Sequence, residues 1–393
     1  RNRSAATLMV QIHGTPLEDF PEATCMEKPA LIRLIEERCG RKPPTQEAWR
    51  PDDIARHRLK DGFSVAIIGG GIAGPAFAMR VLSLAAELGI RINVTLISRP
   101  SCNYCGGLVT NLSLKTMRQF YGYEPAQDVI LSRVEEVILV NPHGSANVAV
   151  ESPLASVFRT SRFGQVGLDD NFRQSILADL PENAGEMLSV MEPAVATSVE
   201  LPTEGKRGVV RCMRTSGEER VEADLIVLAT GLRSLESKLV TSFRQVSGYR
   251  PPKVMPACVT EVDLTNGGGS TIGPRMLILN GIVKGSVIAL IPKQHNWITI
   301  AALKKVLTMD DLQRMFDHPR VREFVQIGSL EESLVCNKIC KSGVFTSPAR
   351  NFYGDGWVVL GDLTGCGRVL KDGYFAALLG AELAAHTAVF HGC

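Results

Sequence analysis

The chain has 393 residues, 45% of them hydrophobic and 21% charged, which is long enough for a substantial buried core in two or three domain-sized units. Lys and Arg number 43 against 41 Asp and Glu, and this near balance excludes a uniformly basic nucleic-acid-binding surface. Gly and Pro fall well short of the share that is typical of low-complexity chains.

The apolar segments are too short or too interrupted to predict a membrane span. Residues 63–77 contain several glycines, and residues 374–390 contain Glu382 and His386. A spanning helix needs roughly 20 uninterrupted apolar residues. No apolar stretch typical of a signal peptide follows the first residues, so we expect a cytoplasmic protein or one bound peripherally to a membrane. The ten cysteines are accordingly expected to be reduced thiols.

In chain order, the predicted elements begin with a polar, proline-interrupted extension over residues 1–60 that carries one helix at 28–38. The next part is a β–α–β unit, because two apolar runs flank a helical pattern. Its members and the following helix are a strand at 64–68, a helix at 76–88, a strand at 94–97 and a helix at 111–121.

The rest of the chain is richer in strands. Predicted strands lie at 136–140, 146–150, 188–190, 209–213, 220–223, 225–229, 254–264, within 276–302, and at 356–360. Predicted helices lie at 172–180, 309–326 and 372–389, and residues 361–368 are predicted to form a loop.

A glycine motif stands at the turn between the first predicted strand and its helix. Gly69 permits the tight turn, Gly71 lets the backbone approach a diphosphate, and Gly74 allows close packing of helix on strand. The free N–H groups of the helix start would then bind the phosphates. The alternative interpretation is a glycine-rich turn without a ligand.

The residue after the second strand departs from the dinucleotide-binding pattern. An acidic residue normally binds the adenosine ribose there, whereas this chain has Ser98 followed by Arg99. A serine hydroxyl lacks the bidentate capacity of a carboxylate, so we expect weaker dinucleotide affinity. Arg99 could contact the adenine face or a phosphate.

Two further apolar strands end in motifs suited to a cofactor. One strand ends at Thr230 and Gly231, and the other ends at Gly361 and Asp362, ahead of a helix that begins at Asp372 and Gly373. A carboxylate beside a glycine turn is suited to ribityl or ribose hydroxyls, and a helix N-terminus stabilises negative charge on a reduced flavin. Each motif alone is equally compatible with an ordinary turn.

Together these motifs resemble the FAD-dependent oxidoreductases of the geranylgeranyl reductase-like group, within the para-hydroxybenzoate hydroxylase-type flavoprotein fold. The resemblance covers residues 64–390 and includes the segments 105–108 and 371–377. It implies FAD as the cofactor, with Gly69, Gly71 and Gly74 at the diphosphate.

The same resemblance implies further cofactor contacts. Asp362 would bind the ribityl or diphosphate region, and Gly373 would lie near the flavin ring. Arg173 belongs to a segment, residues 170–173, that is similar to a helix start of the family and would lie near the cofactor.

The predicted fold class is α/β, with a three-layer Rossmann-type FAD-binding domain and an inserted, mainly antiparallel substrate domain. The FAD-binding domain is predicted at residues 61–130, 160–235 and 340–393, and the substrate domain at 131–159 and 236–339. No metal site is predicted.

The loop of Cys102 and Cys105, followed by Gly106 and Gly107, allows several interpretations. As an active-site turn, Cys105 would donate a proton or hydrogen-bond to the substrate, and the glycines would leave room beside the flavin. A redox-active Cys pair is favoured at a helix N-terminus, which the two glycines do not provide. A metal or iron–sulfur site needs further ligands. An inert buried thiol is the remaining interpretation.

The functional hypothesis is reduction of a C=C bond in an isoprenoid-like or other hydrophobic substrate, by hydride transfer from reduced FAD. Electrons would come from NAD(P)H bound transiently, or from a carrier protein. The alternatives are an FAD-dependent monooxygenase that uses NAD(P)H and O₂, and a flavin-degenerate protein with a structural or interaction role. Halogenation is disfavoured because the tryptophan signature of halogenating relatives is incomplete around Trp297. His295 and Trp297 either line a substrate cavity or form a turn between strands.

Overall fold

The computed structural model describes residues 59–99, 105–148, 150, 153–161, 165–265, 267–294, 296–335, 338–367 and 373–391. The helix predicted at 28–38 and the residues Cys102, His295 and Asp372 lie outside the described residues. Helices and strands are numbered below along the described part of the chain.

The strands are β1 (Phe63–Ile68), β2 (Ile92–Ile97), β3 (Leu108–Thr110), β4 (Ile130–Val134), β5 (Glu136–Asn141), β6 (Gly144–Val148), β7 (Ala155–Phe158), β8 (Leu188–Met191), β9 (Val195–Glu200), β10 (Gly208–Arg214), β11 (Gly217–Ala223), β12 (Leu225–Leu228), β13 (Val254–Asp263), β14 (Gly269–Ser270), β15 (Arg275–Asn280), β16 (Val287–Pro292), β17 (Trp297–Leu303), β18 (Val325–Gln326), β19 (Cys340–Phe345), β20 (Tyr353–Gly354) and β21 (Trp357–Val359). The α-helices are α1 (Ala73–Glu87), α2 (Asn111–Tyr121), α3 (Leu168–Ala178), α4 (Glu182–Gly185), α5 (Lys238–Ser247), α6 (Met309–Asp317), α7 (Pro319–Arg322), α8 (Leu330–Ser333) and α9 (Gly373–Phe390).

The first sheet is built from the apolar runs that the sequence analysis identified as buried strands. Its order is β20-β21-β12-β1-β2-β8, and every pair is parallel except β20 with β21. Parallel strands are covered on both faces, which explains their continuous hydrophobic sequences. Helices α1, α3 and α9 pack on one face. Helix α5 and a second sheet, in the order β11-β10-β9, pack on the other. The predicted three-layer α/β arrangement is confirmed.

A larger, mainly antiparallel sheet follows the order β19-β13-β17-β16-β15-β5-β6, with β15 and β5 parallel. Helices α6 and α7 cover one face with buried side chains such as Leu312, Met315 and Phe316. On the other face lies a small sheet, β3-β7-β4, which packs through Leu108 and Val157 against Ile291 of β16. The small sheet therefore connects the loop of Cys105 to the larger sheet.

Two segments lie across the predicted domain boundaries. Strand β19 was predicted in the FAD-binding part but pairs with β13 of the larger sheet. Helix α5 was predicted in the substrate part, yet Phe243 packs edge-on against Trp357 of the first sheet, with ring centroids 5.3 Å apart. The domain boundaries otherwise stay predictions.

The single helix predicted over residues 309–326 is wrong. Helix α6 ends at Asp317, the short α7 begins at Pro319, and residues 325–326 form β18. Proline lacks a backbone N–H and clashes with the preceding turn, so it ends one helix and is suited to begin the next. The start of α6 has a capping box between Thr308 and Asp311. Burial opposes ionisation of Asp311, but hydrogen bonds from Lys305 and Thr308 lower its pKa to about 2.

Helix α9 is long and apolar enough, by length and composition, to cross a membrane, and half of its apolar stretch is buried within the protein. It packs against α1 in the core beside the first sheet. Arg80 of α1 places Nε 3.0 Å from Oε2 of Glu382, whose side chain is fully buried. A buried ion pair of this kind joins the two helices.

Candidate cofactor and active site

The three motif-bearing strands end side by side at one edge of the first sheet. Strands β21, β12, β1 and β2 are consecutive and parallel, so their carboxyl ends share this edge. Backbone hydrogen bonds continue past the strands, from Ala229 N to Ile68 O at 2.8 Å and from Leu360 N to Leu228 O at 2.9 Å. Ligands of open parallel sheets bind in the crevice outside this edge.

The turn between β1 and α1 leaves room where a diphosphate would approach. Gly69 has φ +125°, and an added Cβ would lie 2.2 Å from Ala229 O. At Gly74 a Cβ would lie 2.0 Å from Gly69 O, whereas at Gly71 it would meet nothing within 4 Å. Gly69 and Gly74 therefore permit close packing, and Gly71 faces open space.

The N-terminus of α1 also has no side-chain cap and no acidic residue that would neutralise the helix dipole. Ile72 occupies the N-cap and supplies no side-chain acceptor, and the first turn contains no acidic residue. The helix dipole and the unsatisfied N–H groups therefore favour an anion at this end. The glycine turn and this helix start fit the diphosphate of FAD.

The third motif lies against the same turn. Gly361 has φ +68°, and its added Cβ would lie 3.2 Å from the Ala73 Cβ at the start of α1. The Asp362 carboxylate lies beside Gly373, where an added Cβ would be 3.2 Å from Oδ1. Burial raises the pKa of Asp362 above its usual range. A buried carboxyl beside two helix starts is suited to accept hydrogen bonds from hydroxyl groups.

Thr230 and Gly231 follow β12 in the middle of this edge. Gly231 has φ +71°, which glycine adopts without strain. The Thr230 and Ser234 hydroxyls lie 2.7 Å apart, and Ser234 Oγ donates to Gly231 O at 2.7 Å. The turn is therefore fixed by its own side chains.

At the end of β2, Ser98 is buried and contacts a carboxylate that the sequence analysis did not identify. Ser98 Oγ donates to Glu192 Oε2 at 2.8 Å. Arg173, on α3, donates from Nη1 to the same oxygen at 2.6 Å. Arg99 is exposed. Arg173 therefore lies at the sheet edge where the cofactor is predicted.

The loop of Cys105, Gly106 and Gly107 lies between the first sheet and the larger one. Gly107 has φ +74°, and an added Cβ would lie 2.3 Å from Phe158 O. At Gly106 a Cβ would lie 3.1 Å from Ile291 Cδ1 of β16. Strand β3 follows directly, so the thiol does not stand at a helix N-terminus.

Cys105 is close to the second residue of α9. The buried Tyr374 hydroxyl donates to Asp169 Oδ1 at 2.9 Å and lies within hydrogen-bonding range of the Cys105 thiol. Burial, together with Asp169 and Cys105, raises the pKa of Tyr374 well above its ordinary value. The phenol therefore stays protonated and connects the thiol to a carboxylate.

A pocket of about 160 Å³ lies near Gly107 and is lined by residues of β4, β13 and β17 and of the turn after β16. Thr160 lines the pocket, and its methyl group would lie 3.5 Å from a Cβ at Gly107. Lys293 and Glu261 form a buried ion pair in its wall, and Thr299 Oγ1 donates to Glu261 Oε1 at 3.1 Å. The other lining side chains are mostly polar and include Arg159, Gln165, Gln294 and Trp297.

Of the predicted site residues that the structure describes, the glycine turn, the two later strand ends, Ser98 and Arg173 surround one sheet edge. Three residues of this site were not predicted from the sequence: Glu192, which contacts Ser98, and Tyr374 and Asp169, which lie beside Cys105. Glu192 follows the predicted strand at 188–190, but only the pairing of β8 with β2 reveals its proximity to Ser98.

Comparison with solved structures supports the fold at low sequence identity. The chain is similar to a geranylgeranyl bacteriochlorophyll reductase-like protein from Thermoplasma acidophilum (TM-score 0.61, 14% identity, covering 84% of this chain and 78% of that one). It is also similar to p-nitrophenol 4-monooxygenase from Pseudomonas putida (TM-score 0.57, 13% identity, 84% and 81%). A third similar structure is the flavin-dependent brominase Bmp2 (TM-score 0.56, 16% identity, 84% and 79%).

No family model matches the sequence, and no curated protein matches it. The resemblance inferred from the motifs is confirmed as a fold, which is that of the FAD-dependent reductases, monooxygenases and halogenases.

Proposed function

We propose that the protein is an FAD-dependent oxidoreductase that reduces a C=C bond of an isoprenoid-like or other hydrophobic substrate. The observation that carries the proposal is the meeting of three strand ends around a glycine turn that is open at Gly71. The hydride for the reduction is the chemistry that FAD supplies when it is bound. NAD(P)H, bound transiently, or a carrier protein is the proposed source of electrons.

The positions of the described residues support the proposed cofactor contacts. Gly69, Gly71 and Gly74 would bind the diphosphate through backbone N–H groups, as the open helix start favours. Asp362 would accept hydrogen bonds from cofactor hydroxyls. The remaining proposed contacts are Ser98, Arg99, Gly106, Gly107, Arg173, Thr230, Gly231, Gly361 and Gly373. Asp372, outside the described residues, is proposed from the family resemblance alone.

Cys105 is the proposed proton donor, because its loop lies beside the pocket and its thiol contacts a protonated phenol. After Sγ gives up its proton, solvent returns one to it, and the Tyr374 hydroxyl, held by Asp169, keeps the thiol in position. Gly106 and Gly107, which follow the thiol, let this loop pack closely on Ile291 and Phe158, and they do not open the space that the sequence analysis expected.

The pocket near Gly107 is the proposed substrate site. Trp297 offers an apolar face, while Arg159 and the Lys293–Glu261 pair offer hydrogen-bonding and charged groups. This lining supports a substrate with a polar group at one end of a hydrophobic body.

The test is anaerobic. The flavin of the loaded protein is reduced, prenyl and quinone acceptors are added in turn, and reoxidation is followed by absorbance. Reoxidation by a prenyl acceptor with formation of the saturated product supports the proposal. NAD(P)H consumption that requires both O₂ and substrate indicates a monooxygenase instead. A protein that takes up no added FAD supports the flavin-degenerate alternative.

The role of Cys105 is tested by Cys105→Ala, with Cys340→Ala on β19 as the control. Cys105→Ala should retain FAD and lose reductive turnover, whereas Cys340→Ala should retain both. Unchanged turnover in Cys105→Ala removes the thiol from the mechanism.

A further inference from the structure

The sheet edge contains a carboxylate that takes the place of the acidic residue missing after β2. Strands β2 and β8 are parallel neighbours, with Ile97 opposite Met191. The next residue of each strand, Ser98 and Glu192, therefore stands at the same edge. Backbone bonds keep the two together, from Ser98 N to Met191 O at 3.0 Å and from Ala194 N to Ser98 O at 2.7 Å.

The Glu192 side chain is fixed by two partners and is not sealed from solvent. Ser98 Oγ donates to Oε2 at 2.8 Å, and Arg173 donates to Oε2 from Nη1 at 2.6 Å and to Oε1 from Nη2 at 3.4 Å. The Glu192 side chain is 23% exposed. An ionised carboxylate has about four acceptor positions, so these three bonds leave capacity for a ligand hydroxyl.

The same group of side chains touches the glycine turn. A Cβ at Gly70 would lie 2.5 Å from Ser98 Cβ and 3.1 Å from Arg173 Nη1. The carboxylate is therefore joined, through Ser98 and Arg173, to the residues beside the proposed diphosphate site. Ser98 is small enough to let the longer Glu192 side chain reach this edge from the adjacent strand.

We propose that Glu192 accepts hydrogen bonds from the adenosine ribose hydroxyls of FAD, in place of a carboxylate at the end of β2. This inference rests on the proposed function, because it assumes that FAD occupies the edge. Arg173 and Ser98 act as positioning residues that hold Glu192. A carboxylate here also disfavours a ribose that carries a 2′-phosphate, because like charges repel.

The test compares two ligands on two proteins. The wild-type and Glu192→Gln apoproteins are each titrated with FAD and with an FAD analogue whose adenosine contains 2′,3′-dideoxyribose. Dissociation constants are obtained from flavin fluorescence. The wild type should prefer FAD about tenfold or more, since a hydrogen bond to a charged group contributes at least that factor. Glu192→Gln should reduce the preference to less than about threefold.

Two further variants keep the test decisive. Glu186→Gln neutralises an exposed carboxylate before the start of β8, at the opposite edge of the sheet, and should keep the full preference. The double variant Ser98→Glu/Glu192→Gln returns the carboxylate to the end of β2 and should restore the preference, which a structural role for Glu192 would not produce.

The outcomes separate this inference from the proposed function. Failure of the wild type to bind FAD overturns both. FAD binding with an equal affinity for the dideoxy analogue, or a preference that survives in Glu192→Gln, overturns the role of Glu192 alone.

Discussion

The substitution Gly71→Ala should weaken FAD binding while leaving the stability of the fold nearly unchanged. The added Cβ meets nothing within 4 Å, so the free energy of unfolding should change by less than about 0.5 kcal/mol. The methyl group would instead occupy the space through which a diphosphate reaches the start of α1. Losing or lengthening one hydrogen bond to a charged phosphate costs about 1.5–3 kcal/mol, so we expect the Kd for FAD to rise by about 10–100-fold.

The assay is a titration of apoprotein with FAD, followed by flavin fluorescence, with urea unfolding measured in parallel. Gly380→Ala in α9 is the matched control, because its added Cβ also meets nothing within 4 Å. It should bind FAD as the wild type does. Gly74→Ala, whose Cβ would lie 2.0 Å from Gly69 O, should instead lose stability. An unchanged Kd in a well-folded Gly71→Ala protein would refute the placement of the diphosphate.

Three other changes test separate parts of the structure. Arg80→Ala removes the guanidinium that pairs with the buried Glu382 carboxylate and should lower the free energy of unfolding by about 3–5 kcal/mol in urea titrations, whereas Arg118→Ala, which breaks an exposed pair, should cost about 1 kcal/mol or less. Because the pKa of Asp311 is lowered from 3.8 to about 2, its ionised side chain stabilises the fold above about pH 4, and this contribution is lost as the pH falls towards 2. The free energy of unfolding should fall by about 1–2 kcal/mol after solvent screening, and acid titrations of Asp311→Asn should lack this decrease. Tyr374→Phe should retain FAD but lower reductive turnover about tenfold or more and alter its pH profile, and an unaltered profile would contradict the role of Tyr374 in positioning the Cys105 thiol.

Elements with strong local signals were predictable from the sequence. Helix α2 was placed at residues 111–121, as observed; its ends carry local signals, a Thr110 side-chain cap and a left-handed Gly122. The parallel strands of the first sheet were recognisable as continuous apolar runs. Strands β3, β4 and β7 were missed, because they are short and are defined by pairing with one another across the chain.

In the candidate site, too, the residues with a local sequence signal were predictable and the residues brought together by the fold were not. The glycine turn was predictable because its function depends on spacing within a few residues. Glu192 and Tyr374 were not identified, since each acquires its proposed role from a residue distant in sequence, Ser98 in one case and Cys105 in the other. The weak affinity expected from Ser98 alone ignores the carboxylate that the neighbouring strand provides.

The central claim is that the crevice at the ends of β21, β12 and β1 binds one FAD molecule. Calorimetric titration of the purified apoprotein with FAD, and separately with FMN, tests it most directly. We predict saturation at about one FAD per chain and much weaker binding of FMN, because FMN lacks the adenosine and the second phosphate that the glycine turn would hold. Heat-silent, unsaturable mixing with FAD, or equal affinity for FMN, would contradict the claim.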